Sequence, residues 1–365
     1  MNSAEMKLSR IVAGLPAVVP FVSPDELERD LGYRFAVRVG ANESAFGVSP
    51  KAVEAMARSL EKANWYGDPS NFELIEALAE KLDVDRERLM VAGGIDELLG
   101  LAVRVLLDPG DVAVASHGSY ATFAYHVGGF GARLETVLYD DFRNSVDRLA
   151  EAAEEHGARV VYLANPDNPT GTLLEADEIR RLMEVLPADC VCFLDEAYSD
   201  FLQPKQMLPL DEYSDRLVRF RTFSKAHGMA GMRVGYLLGP PAFVSAIQRV
   251  RLHFGVNRTA QVGALASLAD DKFIAGVVGE VEEGREEYYA LGRELGVETV
   301  ESSTNFVLFK MADEEEATRV MDELTKRRVF VRTARGDGTR TGIRVTVGTA
   351  KERAGFAYEL RDTLA

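Results

Sequence analysis

The chain has 365 residues, of which 47% are apolar, and a formal net charge of −16 with acidic and basic residues interspersed. A chain of this length predicts a large domain with a smaller companion. The acidic balance argues against nucleic acid or an anionic membrane as the main partner, since both require a basic face.

The first 82 residues predict an arm followed by helices. Residues 11–22 are apolar, but Pro16 and Pro20 interrupt them, which favours an arm lying on another surface over a signal peptide. No apolar run approaches the length that spans a membrane. Helical patterns with capping signals run over residues 23–32, 49–63 and 72–82, with a strand-like run at 35–39.

From residue 88 to residue 223, short apolar runs alternate with helical patterns. The apolar runs are LMVA, VAVAS, VVYLA, VCFLD and VRFRTF. Such alternation is typical of a parallel sheet covered by helices on both faces. Because ligands of such sheets bind beyond the carboxyl ends of the strands, the residues that follow these runs are the candidates for chemistry.

After Pro240 the helices lengthen, and strand-like runs return in pairs. The runs VETVES and NFVLFK follow a long helical pattern, and FVRTA and GIRVTVG precede a closing helix. This order predicts a separate α+β domain with antiparallel pairing. We therefore expect residues 1–40 to form the arm and part of the small domain, residues 41–250 the large domain and residues 251–365 the small domain.

Cys190 and Cys192 lie in one apolar, strand-like run. Two cysteines so close on one strand are not the usual disulfide, and no further Cys or His cluster completes a zinc site. We expect buried core thiols, no bound metal and a cytoplasmic location. None of the five histidines is assigned a catalytic role.

One stretch, residues 221–236, places a lysine among hydroxyl and small residues and reads RTFSKAHGMAGMRVGY. Lys225, where its surroundings keep it neutral, can attack a carbonyl and form a Schiff base. Thr222 and Ser224 flank it, and Arg233 supplies a donor fork suited to phosphate. The stretch therefore suits an aldehyde that carries a phosphate, and the alternative is a surface lysine in a glycine-rich loop.

Three further motifs follow predicted strands. Gly93 and Gly94 lie between a strand and a helix, where free amides attract a phosphate, although a tight turn explains them equally well. The string NPDNPTG holds Asn168 on a rigid turn. Asp195 ends an apolar strand, where desolvation requires a cationic partner unless the residue is a helix N-cap.

These stretches resemble the pyridoxal-phosphate enzymes of the aspartate-aminotransferase fold, which is fold type I (class I/II), and specifically the histidinol-phosphate aminotransferase subgroup. The resemblance extends from Asn42 to Thr349, with the motifs in the family's order. It implies an α/β fold with a large domain, in which a mostly parallel seven-stranded sheet lies between helices, and a smaller α+β domain. It also implies pyridoxal 5′-phosphate as the cofactor.

The resemblance implies a role for each motif. Lys225 is expected to bind the cofactor and then to move the proton of the substrate α-carbon. Asp195 is expected at the pyridine nitrogen, with Asn168 and Tyr198 at the phenolic oxygen. Tyr66 is expected to reach the cofactor phosphate of the other subunit, which implies a homodimer with shared active sites. Other cofactor contacts are implied for Gly94, Ile95, Asp96, Tyr120, Thr222, Ser224 and Arg233.

Substrate contacts complete the implied site, and the sequence also departs from the family's pattern. The implied substrate contacts are Asn42, Asn305, Arg332 and Arg344. The departures are Gly67 in place of Pro, Ser44-Ala45 in place of Asn-Pro, Ile95 in place of a small polar residue, Gly118-Ser119 in place of Pro-Thr, and HFGVNR at 253–258 in place of Pro-aromatic-Asn-Val-Asn.

We expect an aminotransferase that moves an amino group between a small-molecule donor and a 2-oxo acid, with histidinol phosphate and 2-oxoglutarate as the first hypothesis. An aromatic or other amino-acid donor is the alternative within this class. A decarboxylase of phosphothreonine type would use the same residues, but it would release carbon dioxide and need no acceptor. A sensor or regulator built on the same fold is the third hypothesis.

Overall fold

The computed structural model describes residues 6–16, 21–337 and 340–365. Pro20 of the predicted arm lies outside these residues. In the described part of the arm, Ile11 and Leu15 approach Gly131 and Gly128 of the large domain. This part of the arm therefore lies on the large-domain surface of its own chain.

The helices and strands are numbered in chain order. The described α-helices are α1 Arg10–Ala13, α2 Pro24–Leu31, α3 Pro50–Ser59, α4 Phe72–Leu82, α5 Ile95–Leu106, α6 Ala121–Gly129, α7 Val146–Glu155, α8 Ala176–Val185, α9 Pro241–Gln248, α10 Arg258–Leu268, α11 Asp271–Leu295, α12 Glu314–Lys326 and α13 Ala350–Leu364. The described strands are β1 Val37–Arg38, β2 Leu89–Ala92, β3 Val112–Ser116, β4 Arg133–Val137, β5 Val160–Ala164, β6 Val191–Asp195, β7 Leu217–Thr222, β8 Gly235–Leu238, β9 Phe306–Lys310, β10 Val329–Phe330, β11 Arg332–Asp337 and β12 Arg340–Thr346.

The large domain is built on a seven-stranded sheet of order β2-β8-β7-β6-β5-β3-β4, in which β8 runs antiparallel to both neighbours. Alternate residues of β5 point to opposite faces, as expected for a strand. Val160 and Tyr162 pack in the apolar cluster on one face, and Val161 and Leu163 pack in the cluster on the other. The predicted mostly parallel sheet with both faces covered is confirmed.

The small domain contains an antiparallel sheet of order β11-β12-β9. Strand β1 pairs in parallel with β10, so the segment before residue 40 joins this domain. The predicted strand VETVES is wrong, because only an isolated bridge joins Thr299 to Phe309 of β9. Beyond that bridge the chain turns towards the large domain, where the Ser303 amide donates to the Gly171 carbonyl at 2.8 Å.

The end of the large domain is marked by the packing of α10. Ala260, Ala264 and Leu268 of this helix lie in one apolar cluster with Leu74 and Leu78 of α4. The division at residues 40 and 250 stays a prediction. The packing of α10 argues for moving the second boundary to the end of that helix.

A close approach between two loops fixes the position of the lysine stretch. Gly228 has a φ of +69°, and a Cβ at this position would lie 1.9 Å from the carbonyl oxygen of Gly47. Only glycine allows this contact, since a side chain would both clash and occupy a strained backbone conformation. The contact holds the loop that contains Asn42 against the loop that contains Lys225.

Three expectations concern what the chain does not bind or span. Among the described helices, none combines the length and the apolar character needed to cross a bilayer. The described residues contain no His, Cys, Asp and Glu cluster that could hold a metal ion. Cys190 and Cys192 are free and buried, as expected. Burial raises the pKa of Cys190 to about 11, so this thiol stays protonated near neutral pH.

Candidate active site

A cavity of about 280 Å³ lies at the carboxyl ends of β5, β6 and β7, next to the first turn of α5. Polar side chains from separate stretches of the sequence converge here, as expected for a parallel sheet. Ten of the predicted cofactor residues line this cavity, namely Ile95, Asp96, Tyr120, Asn168, Asp195, Tyr198, Thr222, Ser224, Lys225 and Arg233.

Lys225 lies in the loop that joins the antiparallel neighbours β7 and β8. Its Nζ donates a hydrogen bond to the carbonyl oxygen of Asn42 at 3.1 Å. Burial, assisted by the nearby Arg344 guanidinium, lowers the pKa of Lys225 to about 8. A substantial fraction of the amine is therefore neutral slightly above pH 7, which is the form that attacks carbonyls and accepts protons.

Asp195 is the last residue of β6 and is only 5% exposed. Its Oδ2 accepts from the Tyr162 hydroxyl at 2.6 Å, and its Oδ1 accepts from the Ala197 amide at 2.9 Å. Burial raises the pKa of this carboxyl to about 6, although both hydrogen bonds act in the opposite direction. Within the described chain no cation forms an ion pair with Asp195, so the site can accept a protonated ring nitrogen or another cation.

Tyr198 and Asn42 form the part of the site closest to the small domain. The Asn42 Nδ2 donates to the Tyr198 hydroxyl at 2.9 Å, and the Asn42 amide donates to the Thr346 Oγ1 at 2.9 Å. The Asn305 Nδ2 donates to the Asn42 carbonyl at 3.3 Å. Because Thr346 and Asn305 belong to the small-domain sheet and its edge, this network ties the cavity to both domains.

The opposite end of the cavity presents donors suited to an anion. Thr222 Oγ1 and Ser224 Oγ lie 2.9 Å apart, and Arg233 forms an ion pair with Asp96 at 3.2 Å. The free amides of the first turn of α5 complete this end, since the first amides of a helix have no partner within it. A Cβ on Gly94 would lie 2.7 Å from Arg233 Nη2, so glycine allows the guanidinium to approach the helix.

Tyr120 lines the cavity from its position just before α6. Its hydroxyl donates to Asp96 Oδ1 at 2.7 Å. Burial raises the pKa of Tyr120 above its ordinary value, so the hydroxyl remains a donor. This bond fixes the aromatic ring beside the inner cavity.

An outer cavity of about 570 Å³ adjoins the first and reaches β11 and β12. Arg332 and Arg344 lie directly opposite each other on these antiparallel strands. Arg344 Nη1 donates to Asn168 Oδ1 at 2.6 Å, and Arg332 donates to the Val22 carbonyl. Neither guanidinium forms an ion pair with a carboxylate of the described residues, and the Nε of each is buried without a hydrogen-bond partner there.

The structure does not bring Tyr66 into this cavity. Its side chain is 76% exposed and stacks on Phe254, with ring centroids 4.4 Å apart. No described residue of the same chain hydrogen-bonds its hydroxyl. The predicted role of Tyr66 at another subunit's cavity therefore stays a prediction.

Three residues at the site were missed by sequence reasoning. Tyr162 bonds Asp195, Thr346 bonds Asn42, and Phe21 lines both cavities with its ring 4.3 Å from the Arg332 guanidinium. The signal for Tyr162 was available, because a buried hydroxyl in the otherwise aliphatic run VVYLA needs a hydrogen-bond partner. Thr346 and Phe21 carried no comparable signal.

The chain resembles known proteins over nearly its whole length. A family model described as aminotransferase class I and II matches residues 36–358. Histidinol-phosphate aminotransferase 2 of Carboxydothermus hydrogenoformans is 35% identical over 359 residues, which cover 97% of this chain and 98% of that protein. The family model covers every segment that lines the two cavities except the one that carries Phe21.

Solved structures agree with this relationship. The histidinol-phosphate aminotransferase of Sinorhizobium meliloti, in complex with pyridoxal-5′-phosphate, is 34% identical and gives a TM-score of 0.94 over 99% of this chain and 98% of that one. The aspartate aminotransferase of Thermotoga maritima gives a TM-score of 0.82 at 22% identity, over 98% of this chain and 100% of that one. The second likeness concerns the fold alone.

The raised pKa of Asp195 predicts a pH-dependent effect of Asp195→Asn on the ligand-free protein. The folded state holds the carboxyl proton of Asp195 more tightly than the unfolded state does. The charged carboxylate therefore destabilises the fold above about pH 6, and this destabilisation fades as the pH falls towards 4. We expect Asp195→Asn to raise the free energy of unfolding at pH 7.5 by about 1 to 3 kcal/mol, and by less at pH 5. Urea unfolding at both pH values measures this.

The exposed Asp189→Asn variant is the matched control, and it should change neither value. If Asp195→Asn does not raise the free energy of unfolding at pH 7.5, or raises it equally at pH 5, burial does not raise the pKa of Asp195.

Proposed function

We propose that this chain, which belongs to the aminotransferase class I and II family and is a pyridoxal-phosphate-dependent transaminase, takes its amino group from histidinol phosphate and passes it to 2-oxoglutarate. The observation that carries the choice of donor is the pair formed by Arg332 and Arg344 in the outer cavity. Relatives named histidinol-phosphate aminotransferase support it at 35% and 34% identity.

The arginine pair favours a substrate with two negative charges. Two guanidinium groups opposite each other repel unless an anion lies between them. Burial lowers the pKa of Arg344, and the charge of Arg332 acts in the same direction. A phosphate monoester or a second carboxylate supplies that charge and accepts bidentate hydrogen bonds. Histidinol phosphate and 2-oxoglutarate both carry such a group, so one site serves donor and acceptor in turn.

The residues of the inner cavity fit pyridoxal phosphate at both ends. Lys225 offers a half-buried amine of lowered pKa, and Asp195 offers a buried carboxylate without an ion-pair partner among the described residues. Thr222, Ser224 and Arg233, with the first amides of α5, would hold the phosphate. Asn168 and Tyr198 would hold the phenolic oxygen. When bound, the cofactor supplies a carbonyl for the donor amine and a ring that withdraws electrons from its α-carbon.

Lys225 has two tasks in this proposal. As a neutral amine it would hold the cofactor through the aldehyde carbon, and once released its Nζ would take the proton from the donor α-carbon. The lowered pKa places the Lys225 amine near the pH at which it both accepts and returns a proton. The Asn42 carbonyl, 3.1 Å away, orients the amine between these tasks.

Asp195 and Tyr198 set the charge around the reacting atoms. The Asp195 carboxylate would keep a ring nitrogen protonated, and the Tyr162 hydroxyl and Ala197 amide hold that carboxylate in place. The Tyr198 hydroxyl stays protonated because burial raises its pKa to about 12, so it acts as a hydrogen-bond donor. Tyr120 would stack on the ring from one side.

We also propose a homodimer in which Tyr66 reaches the cofactor phosphate of the other subunit. Large apolar side chains near Tyr66 are exposed in the single chain, among them Leu60, Trp65, Leu252 and Phe254. Exposed apolar side chains grouped in this way mark an interaction surface. A second copy of the chain is the natural occupant, since closed two-fold pairs are the commonest assembly.

A cytoplasmic location is part of the proposal. Phosphorylated substrates carry charges that prevent them from crossing membranes unaided, so an enzyme for them belongs where they are made. Recovery of the chain outside the cytoplasm on cell fractionation would contradict this.

The donor is tested by the visible spectrum of the cofactor-bound protein without acceptor. We expect histidinol phosphate to convert the bound cofactor to its amine form, and histidinol, which lacks the phosphate, to convert it poorly. Arg332→Gln should lower kcat/KM for histidinol phosphate about 10- to 100-fold, as expected for loss of a charged hydrogen bond. The same variant should leave the weak reaction of histidinol nearly unchanged.

Arg319→Gln on the exposed face of α12 is the control for this substitution. If histidinol phosphate leaves the spectrum unchanged while phenylalanine or another amino acid converts it, the proposed donor is wrong and the transaminase assignment stands. Release of carbon dioxide without any need for an acceptor would instead identify a decarboxylase.

The shared site is tested by mixing two impaired variants at limiting cofactor. Lys225→Ala lacks the amine, and Tyr66→Phe lacks the hydroxyl, so each alone should be impaired at limiting cofactor. Mixed dimers contain one site with both groups, and a random mixture should recover about a quarter of wild-type activity. Activity no higher than the sum of the separate variants would contradict a shared site.

A further inference from the structure

The segment that carries Tyr66 is held by the chain around the start of α10. The Phe254 ring stacks on the Tyr66 ring at 4.4 Å, with an angle of 23° between the ring planes. Arg258 Nη2 donates to the Tyr66 carbonyl at 2.5 Å. The Tyr66 side chain stays 76% exposed despite both contacts.

Gln261 hydrogen-bonds the backbone of the same segment two residues further on. Its Nε2 donates to the Asp68 carbonyl at 2.9 Å, and its Oε1 accepts from the Asp68 amide at 3.2 Å. The Gln261 amide is itself fixed, because its Nε2 also donates to the Val256 carbonyl at 3.0 Å. We call Phe254, Arg258 and Gln261 the α10 clamp.

The clamp explains a small residue in the held segment. A Cβ on Gly67 would lie 2.6 Å from Gln261 Nε2 and 3.1 Å from the Arg258 amide nitrogen. Any side chain at this position would therefore displace the clamp. Gly67 and the HFGVNR string are two separate departures from the family's pattern, and the structure shows that they touch each other.

The other side of the held segment is fixed as well. Asp68 Oδ2 accepts from the Phe72 amide at 2.7 Å, and Arg251 Nη2 donates to the Pro69 carbonyl at 2.7 Å. Four contacts to the backbone thus order a short exposed segment whose most prominent side chain has no hydrogen-bond partner in the described chain. Ordering a segment in this way costs conformational entropy, and the Tyr66 hydroxyl recovers none of that cost through a hydrogen bond to the described residues of its own chain.

We propose that the α10 clamp is a set of positioning residues that present the Tyr66 hydroxyl to the cofactor phosphate of a second copy of this chain. The inference rests on the proposed shared site and adds the residues that make Tyr66 rigid. A preorganised donor binds a phosphate more tightly than a mobile one, because less freedom is lost on binding. The clamp therefore acts on cofactor affinity across the subunit boundary.

The test is cofactor affinity in the full-length dimer, compared for pyridoxal phosphate and for pyridoxal, which lacks the phosphate. We expect Gln261→Ala and Arg258→Ala each to lower the affinity for pyridoxal phosphate about tenfold, which is the effect of losing one hydrogen bond to a charged group. Pyridoxal affinity should stay unchanged, and Arg258→Lys should restore part of the loss. Arg58→Ala on the exposed face of α3 is the control.

Heterodimers assign the effect to one subunit. When Gln261→Ala and Lys225→Ala lie in the same chain and the partner is wild type, the single intact lysine faces the altered clamp, so binding at that site should weaken. When the two substitutions lie in different chains, the intact lysine faces an intact clamp and binding should be as in wild type.

Three results would overturn the inference. If Tyr66→Phe does not lower the affinity for pyridoxal phosphate, the shared site is wrong and the clamp has no role in it. If Tyr66→Phe weakens binding but the clamp variants do not, the shared site stands and the clamp inference falls. If the clamp variants weaken pyridoxal equally, or act only on the cavity of their own chain, they affect the fold and not the presentation of Tyr66.

Discussion

Burial of two ionisable groups in one cavity, without an ion pair between them, constrains the rest of this structure. Lys225 and Asp195 each lose hydration. Burial lowers the pKa of Lys225 and raises that of Asp195, so it favours the neutral form of each group. The fold holds Lys225 by a hydrogen bond that its Nζ donates to the Asn42 carbonyl, and it holds Asp195 by hydrogen bonds from the Tyr162 hydroxyl and the Ala197 amide. Because neither group has an ion-pair partner among the described residues, the cavity is suited to a ligand with a cationic ring for Asp195 and a reactive carbonyl for Lys225.

The two domains meet at this cavity, and each holds part of it. The sheet edge supplies Lys225 and Asp195, whereas the small domain supplies Arg344 and the Thr346 that fixes Asn42. The Arg344 bond to Asn168 joins the proposed substrate end directly to the proposed cofactor end. Substrate charge, domain contact and cofactor orientation therefore depend on one another in this fold.

The sequence predicted the elements whose signals are local. Strand-end positions and the lysine stretch predicted where Lys225 and Asp195 lie, but the hydroxyl that meets Asp195 depends on the register between β5 and β6, which no local pattern encodes. VETVES has the composition of a strand, yet the chain leaves β9 after one bridge to reach Gly171. The contacts that hold Tyr66 come from residues almost 200 positions away. The sequence therefore showed that Gly67 and residues 253–258 depart from the family's pattern, but not that they are in contact.

The most direct measurement of the central claim is the identity of the amine that binds the cofactor. Borohydride reduction of the cofactor-bound protein fixes the bond between the aldehyde carbon and its amine, and peptide mass spectrometry then locates it. The account predicts the label on Lys225 alone, no label in Lys225→Ala, and full labelling in the exposed-surface variant Lys272→Ala. A label on another lysine, or one that persists in Lys225→Ala, would contradict it.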